Sequence, residues 1–257
     1  MYNMFKTLSE YCVKKRNKDF FDYMQKRNWN EGTIDQWKLG YFPVNDILSL
    51  KVRIKNDGGT EEDLVANGIL NKYGKSFFSG RIIFPIIDTW GTEIALTGRT
   101  LSDEVKPKYF NTVYEKGKNL YGLHFAIPEI IKTKRVYVFE GNADVISAHQ
   151  YGITNAVGCQ GTTFSEDHFI LLSRYAKEIV LIFDNDSGGK KALMSFNEKG
   201  IEENRKETKV YRCVFKGYKD ADEFLNKTSK DEVVKYIEDF MANEEKQIKL
   251  KNLKKRK

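Results

Sequence analysis

The spacing of apolar residues changes character near residue 135. Before it, Phe5–Arg27 and Glu61–Ala66 place apolar side chains three and four positions apart, which predicts helices. RIIFPIIDTWGTEIALTGRTL (81–101) sets two β-rich runs around Asp88-Thr89-Trp90-Gly91 and predicts a hairpin. From Arg135 onward, short continuous apolar runs alternate with helical segments. RVYVFE, TNAVGC, EIVLIFD and TKVYRCVF read as strands, with helices over Asn142–Tyr151, SEDHFILLSRYA and Gly188–Lys199 between them. Ser165 suits the N-cap of the second of these helices, with His168 where Glu or Gln would complete a capping box.

Such alternation predicts an α/β chain, because a parallel sheet covered on both faces needs strands that are apolar throughout. The expected organisation is a mixed α+β amino-terminal subdomain over residues 1–134 and a second domain over 135–226 with a central, mostly parallel sheet. A helix and basic tail follow over 227–257. In sheets of this kind ligands gather at the carboxyl ends of the strands.

Composition narrows the chemistry. No run approaches the ~20 apolar residues of a membrane helix, and the first residues lack the apolar stretch of a signal peptide, so a cytoplasmic protein without a membrane partner is expected. Cys12, Cys159 and Cys213 stand far apart, as do three histidines, which excludes a zinc ribbon by spacing and leaves carboxylates to hold any metal. Carboxylates favour a hard ion such as magnesium or manganese. The net charge of +7 comes from the tail KQIKLKNLKKRK, whose seven basic groups are its only charges; the remainder balances 36 basic against 36 acidic groups. That tail suits either contact with phosphates or a solubilising end.

The strand ends carry the candidate chemistry. Glu140 closes VYVF, Asp184 closes VLIF with Asp186 two positions on, and Asp220 and Asp222 follow VYRCVF within KDADEF. If these strands are neighbours, the acids meet at one rim, where desolvated carboxylates call for a compensating cation. A single acid after a strand is ordinarily a turn residue; the combination is what points to metal. DNDSGG does not fit an EF-hand, since Gly188 and Ser195 replace the oxygen ligands, and GGKKA has no Walker pattern.

FEGNADVISAHQYGITNAVGCQGTTFSEDH, VLIFDNDSGGKKAL and GYKDADEF resemble the three acidic motifs of a TOPRIM domain. YMQKRNWNEGTIDQWKLGYFP, SGRIIFPIIDTWGTEIALTGRTL and PKYFNTVYEKGKNLYGLHFA are similar to the catalytic core of bacterial DnaG-type primases, and the similarity runs from about residue 20 to residue 226. The resemblance implies a nucleotidyltransferase, a DNA-directed RNA polymerase that makes RNA primers on a single-stranded DNA template from ribonucleoside triphosphates. It implies two Mg2+ or Mn2+ ions, while the cysteine spacing leads to an expectation of no zinc. Asp184 and Asp186 would be the first metal ligands, then Asp220 and Asp222, with Glu140 as ligand or general base. Arg81, Arg99, Lys108 and Lys116, with Asn111 and Lys118 beside them, would hold template or triphosphate phosphates. Asp144 matches the acid of the family's Glu-Gly-x-x-Asp motif or supports the helix. Tyr109, Phe110 and Tyr121 either pack the core or stack on bases.

The third motif departs from the family's Asp-Pro-Asp, with Ala221 in the middle. The zinc-binding and helicase-binding domains of the family are not in the sequence. That leaves coupling to a replicative helicase or to a separate zinc-binding protein open, and would suit a phage enzyme or a truncated chain. Two other readings remain. A TOPRIM nuclease would use the same acids with water as attacker, and an inactive recruitment module would be expected to have lost acids that are intact here.

Overall fold

The computed structural model describes residues 2–161, 163–183, 207–215, 217–218 and 221–255, with side chains described as far as residue 246. It divides into two compact units, Met1–Glu115 and Lys116–Lys257.

In the first unit, asparagines start the first three helices. Asn3 accepts from Lys6 N before α1 (Met4–Lys14), Asn17 from Phe20 N before α2 (Lys18–Lys26), and Asn30 from Thr33 N before α3 (Glu31–Gln36). The single helix expected over Phe5–Arg27 is therefore two. Apolar spacing runs on through the break, but the Asn17 carboxamide satisfies a backbone donor that only a new helix start leaves unpaired. Helices α4 (Ile47–Asn56) and α5 (Glu61–Ala66) follow, the latter opened by a capping box between Thr60 and Asp63. The sheet is antiparallel in the order β1 (Gly40–Phe42), β2 (Arg81–Ile87), β3 (Glu93–Thr100), β4 (Tyr109–Asn111). The predicted β2–β3 hairpin is present. Asp88 Oδ1 accepts from Trp90 N and Thr92 N, both at 2.9 Å, and Gly91 takes the positive φ of +85° that the turn needs. Leu8, Cys12, Phe42, Leu50, Ile54, Leu64, Phe78, Ile83 and Leu96 form the buried core. At Gly98 any Cβ would lie 2.7 Å from the Phe78 ring, so the core reaches the β3 backbone only because that position has no side chain.

The second unit holds a parallel four-stranded sheet in the order β6–β5–β7–β8: Ala156–Gly158, Arg135–Phe139, Glu178–Ile182, Lys209–Cys213. Helices α6 (Leu123–Thr133), α7 (Asn142–Gln150), α8 (Glu166–Leu172) and two more, Ala221–Lys227 and Lys230–Lys255, accompany it. This is the expected α/β class. The helix expected over Gly188–Lys199 lies outside the described residues. Segment 116–134, placed by sequence with the amino-terminal half, belongs to this unit by packing. Leu120, Leu123, Ala126 and Ile130 share a core with Val136, Val138, Phe169, Leu172 and Leu181. The helix Lys230–Lys255 buries Val233, Ile237 and Met241, and its Glu245 accepts from Tyr211 on β8 at 2.8 Å. All three cysteines are fully buried and outside any disulfide, Cys12 in the first unit and Cys159 and Cys213 in the second. No described helix is long and apolar enough to cross a membrane.

Candidate active site

In the second unit, β5, β7 and β8 are adjacent and parallel, and the register pairs Phe139 with Ile182 and Ile182 with Cys213. The condition on which the acidic motifs could meet is thereby fulfilled at the level of the strands. Because the strands are parallel, their carboxyl ends lie at the same edge of the sheet. Glu140 follows Phe139 directly and is half-buried. Its carbonyl accepts from Gly161 N at 2.9 Å, tying the end of β5 to the loop after β6. Burial pushes the Cys159 thiol up, and the negative charge of Glu140 adds to that shift, so this carboxylate lies within electrostatic reach of the β6 end. Gly158 lets β6 come this close; a Cβ there would stand 2.9 Å from Val145 and 3.2 Å from the Gly141 carbonyl. Asp184 and Asp186, which begin one residue after Phe183, and Asp220 lie outside the described residues, as do Gly188 and Gly189. Among the described residues no cluster of three or more His, Cys, Asp or Glu could hold a metal ion.

Asp222 is in view, and it is anchored. It is buried, Ser147 Oγ of α7 donates to its Oδ1, and Asn226 Nδ2 reaches the same oxygen at 3.3 Å and the Asp222 carbonyl at 2.8 Å. Asp144 accepts from Gly141 N at 3.1 Å, which makes it the cap of the turn that follows Glu140. Two residues after Glu140, Asn142 is 5% exposed and its Oδ1 has no hydrogen-bond donor. The Glu140 carboxylate and the Asn142 carboxamide oxygen, two positions apart in the chain, are hard oxygen donors of the type a divalent cation takes.

The basic candidates differ from one another. In the first unit Arg81 is buried, and its guanidinium donates to Phe77 O at 2.8 Å, Pro107 O at 3.0 Å, Lys108 O at 3.1 Å and Gly98 O at 3.4 Å. It organises the loop carrying Lys108, whose own side chain is exposed. Arg99 lies 4.6 Å from the Tyr23 ring centroid, with one nitrogen on Thr100 O at 3.0 Å and a buried Nε without an acceptor. Asn111 accepts from Thr97 Oγ1 at 2.7 Å. Phe110 is half-buried with its ring 5.2 Å from that of the buried Phe78, and Tyr121 is buried, so both pack against the interior, while Tyr109 is exposed. In the second unit Lys116 and Lys118 sit on a 3-10 turn; burial lowers the Lys116 pKa, and its Nζ reaches Gln160 O at 3.5 Å.

Comparison with known proteins places these features. A model described as "DNA primase catalytic core, N-terminal domain" matches residues 8–127, and one described as "Toprim-like" matches residues 137–225. The Clostridium acetobutylicum DNA primase is 35% identical over 231 residues, 86% of this chain and 37% of that protein. The Deinococcus radiodurans DNA primase is 39% identical over 184 residues, 68% of this chain and 32% of that one. This chain belongs to the DnaG-type DNA primase catalytic-core family. It spans about a third of the length of these relatives. Among solved structures, a DnaG primase catalytic domain bound to ssDNA superposes with TM-score 0.81 at 26% identity, covering 92% of this chain and 79% of that one. The E. coli primase catalytic core gives 0.81 at 25% identity, covering 94% and 83%.

Seen as a primase-family core, the chain contains supporting residues that its motifs do not announce. Ser147 holds Asp222 across α7, and Ser165, His168 and Gln160 contact the turn of Lys116. Only Ser165 and His168 carried a sequence signal, their N-cap and capping-box positions, and that signal did not extend to Lys116. All four act on partners 41 to 75 residues away, beyond any local pattern.

Proposed function

We propose that this chain is the catalytic core of a DNA primase, which joins ribonucleoside triphosphates into short RNA primers on single-stranded DNA. The single observation carrying this reading is the adjacency of the parallel strands β5, β7 and β8, the three strands that the acidic motifs follow in the sequence. That the ssDNA in a solved complex is bound by a domain of the same fold supports the choice of template.

Glu140, Asp184, Asp186 and Asp220 are the residues that would hold divalent ions, with Asp222 contributing as a further ligand or shaping the turn. Two such ions, Mg2+ or Mn2+, supply a 3′-hydroxyl of lowered pKa and charge compensation at the transferring phosphate. Asp144 fixes the turn that presents Glu140, and Ser147 fixes the helix bearing Asp222. Lys108, Lys116 and Lys118 provide compact positive charges for phosphates, and Arg99 a planar one stiffened by its contact with Tyr23. Arg81 acts on the Lys108 loop from within. A replicative helicase or a separate zinc-binding protein would act as a further partner by supplying what the core alone does not carry.

The test is de novo synthesis on a defined single-stranded template with ribonucleotides and either ion. Labelled short RNA is expected, and Glu140→Gln or Asp184→Asn should reduce it to background with an unchanged circular dichroism spectrum. Full synthesis by Glu140→Gln removes that carboxylate from the chemistry. Shortened DNA without new RNA identifies a nuclease instead.

A further inference from the structure

Within the second unit, the turn Lys116–Lys118 is held by groups no motif assigns. Ser165 Oγ donates to Gly117 O at 2.6 Å, and Gln160 Nε2 donates to Asn119 O at 3.2 Å. His168 is fully buried, and its Nε2 lies 2.9 Å from Lys116 O. The other ring nitrogen settles the tautomer. Ser165 N donates to His168 Nδ1 at 3.2 Å, so Nδ1 is the acceptor and Nε2 must carry the hydrogen that goes to Lys116 O. His168 N in turn donates to Ser165 Oγ at 3.1 Å, which closes a capping box at the start of α8 with histidine in the place of glutamate. A glutamate would serve the box equally well but has no hydrogen for the Lys116 carbonyl. Histidine does both, and links a helix start to the backbone of a basic residue 52 positions earlier.

We infer that His168 is a positioning residue for Lys116: through its Nε2–H it fixes the backbone from which the Lys116 ammonium reaches its phosphate. This rests on the primase reading of Lys116. Around His168 stand Asp167, the Phe164 ring at 5.8 Å and the backbone of Lys116, Asn119 and Ser165. None of them competes for the Nε2 hydrogen as a side-chain acceptor.

The amide side chains separate the two duties. His168→Asn places an acceptor where Nδ1 stands, so it keeps the helix cap but falls short of Lys116 O. His168→Gln reaches both. In the full chain, apparent KM for ribonucleoside triphosphate, affinity for a single-stranded oligonucleotide and kcat are measured for both variants, alone and with Lys116→Ala. The expected result is that His168→Asn weakens KM or DNA affinity roughly fivefold while kcat stays within about twofold. His168→Gln stays native-like, and the Asn effect vanishes when Lys116 is alanine. Equal behaviour of the Asn and Gln variants overturns the inference, as does an Asn effect that persists undiminished in the Lys116→Ala background. If Lys116→Ala alone changes neither KM nor affinity, the reading of Lys116 fails first and the inference falls with it. That outcome is distinguished by a single variant in which His168 is intact.

Discussion

Arg81 illustrates what a residue type in a motif can and cannot announce. Its position in SGRIIFPI marked it as basic and important, and it is both, but its guanidinium is spent on four backbone carbonyls up to 27 residues away. Arg81→Ala would leave these acceptors without a donor and is expected to cost ~3 kcal/mol in urea unfolding. Arg81→Lys should recover only part, since an ammonium cannot reproduce the fork. A stability unchanged by Arg81→Ala would show that the carbonyls find other donors. Asp222 teaches the same lesson in the acidic set. Sequence placed it beside Asp220 by its motif, but its contact with Ser147 depends on how α7 meets the helix Ala221–Lys227, which no local pattern encodes. Residue identity was legible; long-range partnership was not.

At the scale of elements the sequence spoke more clearly, because caps and turns are local. The Asp88–Gly91 turn, the α5 boundaries and the Ser165 cap all follow from side chains within four positions of the groups they satisfy. The parallel sheet was legible for another reason: strands buried on both faces must be apolar throughout, and Val136–Phe139 and Ile179–Ile182 are. The break between α1 and α2 escaped notice because apolar spacing continues across it, while the decisive signal is one asparagine. Asn17→Ala and Thr60→Ala should each lower stability by ~1 kcal/mol, read from urea midpoints. A neutral Asn17→Ala would mean that the break is imposed by packing of Phe20, Tyr23 and Met24 rather than by the cap.

For the molecule as a whole, two buried histidines contribute to the response to mild acid. His149, whose Nε2 lies 2.8 Å from Ala156 O, and His168 both have pKa values lowered chiefly by burial. The unfolded chain therefore takes up these protons first as pH falls below the ordinary value of 6.5. Stability is complete above that value and declines as pH drops toward the folded-state pKa values. Urea midpoints at pH 7.5 and pH 5.5 should show the decline, smaller in His168→Gln; a midpoint that rises on acidification would refute the assignment.

The three buried thiols give the two units separate clocks. Burial pushes all of them up, Cys213 to about 12, so a thiol reagent at neutral pH meets no thiolate in the native state. Modification must wait until the surrounding core opens. Cys12 then times excursions of the amino-terminal half and Cys159 with Cys213 those of the other, without any foreign label. Mass spectrometry of each tryptic peptide would show which half breathes first, and whether template or nucleotide slows one and leaves the other alone.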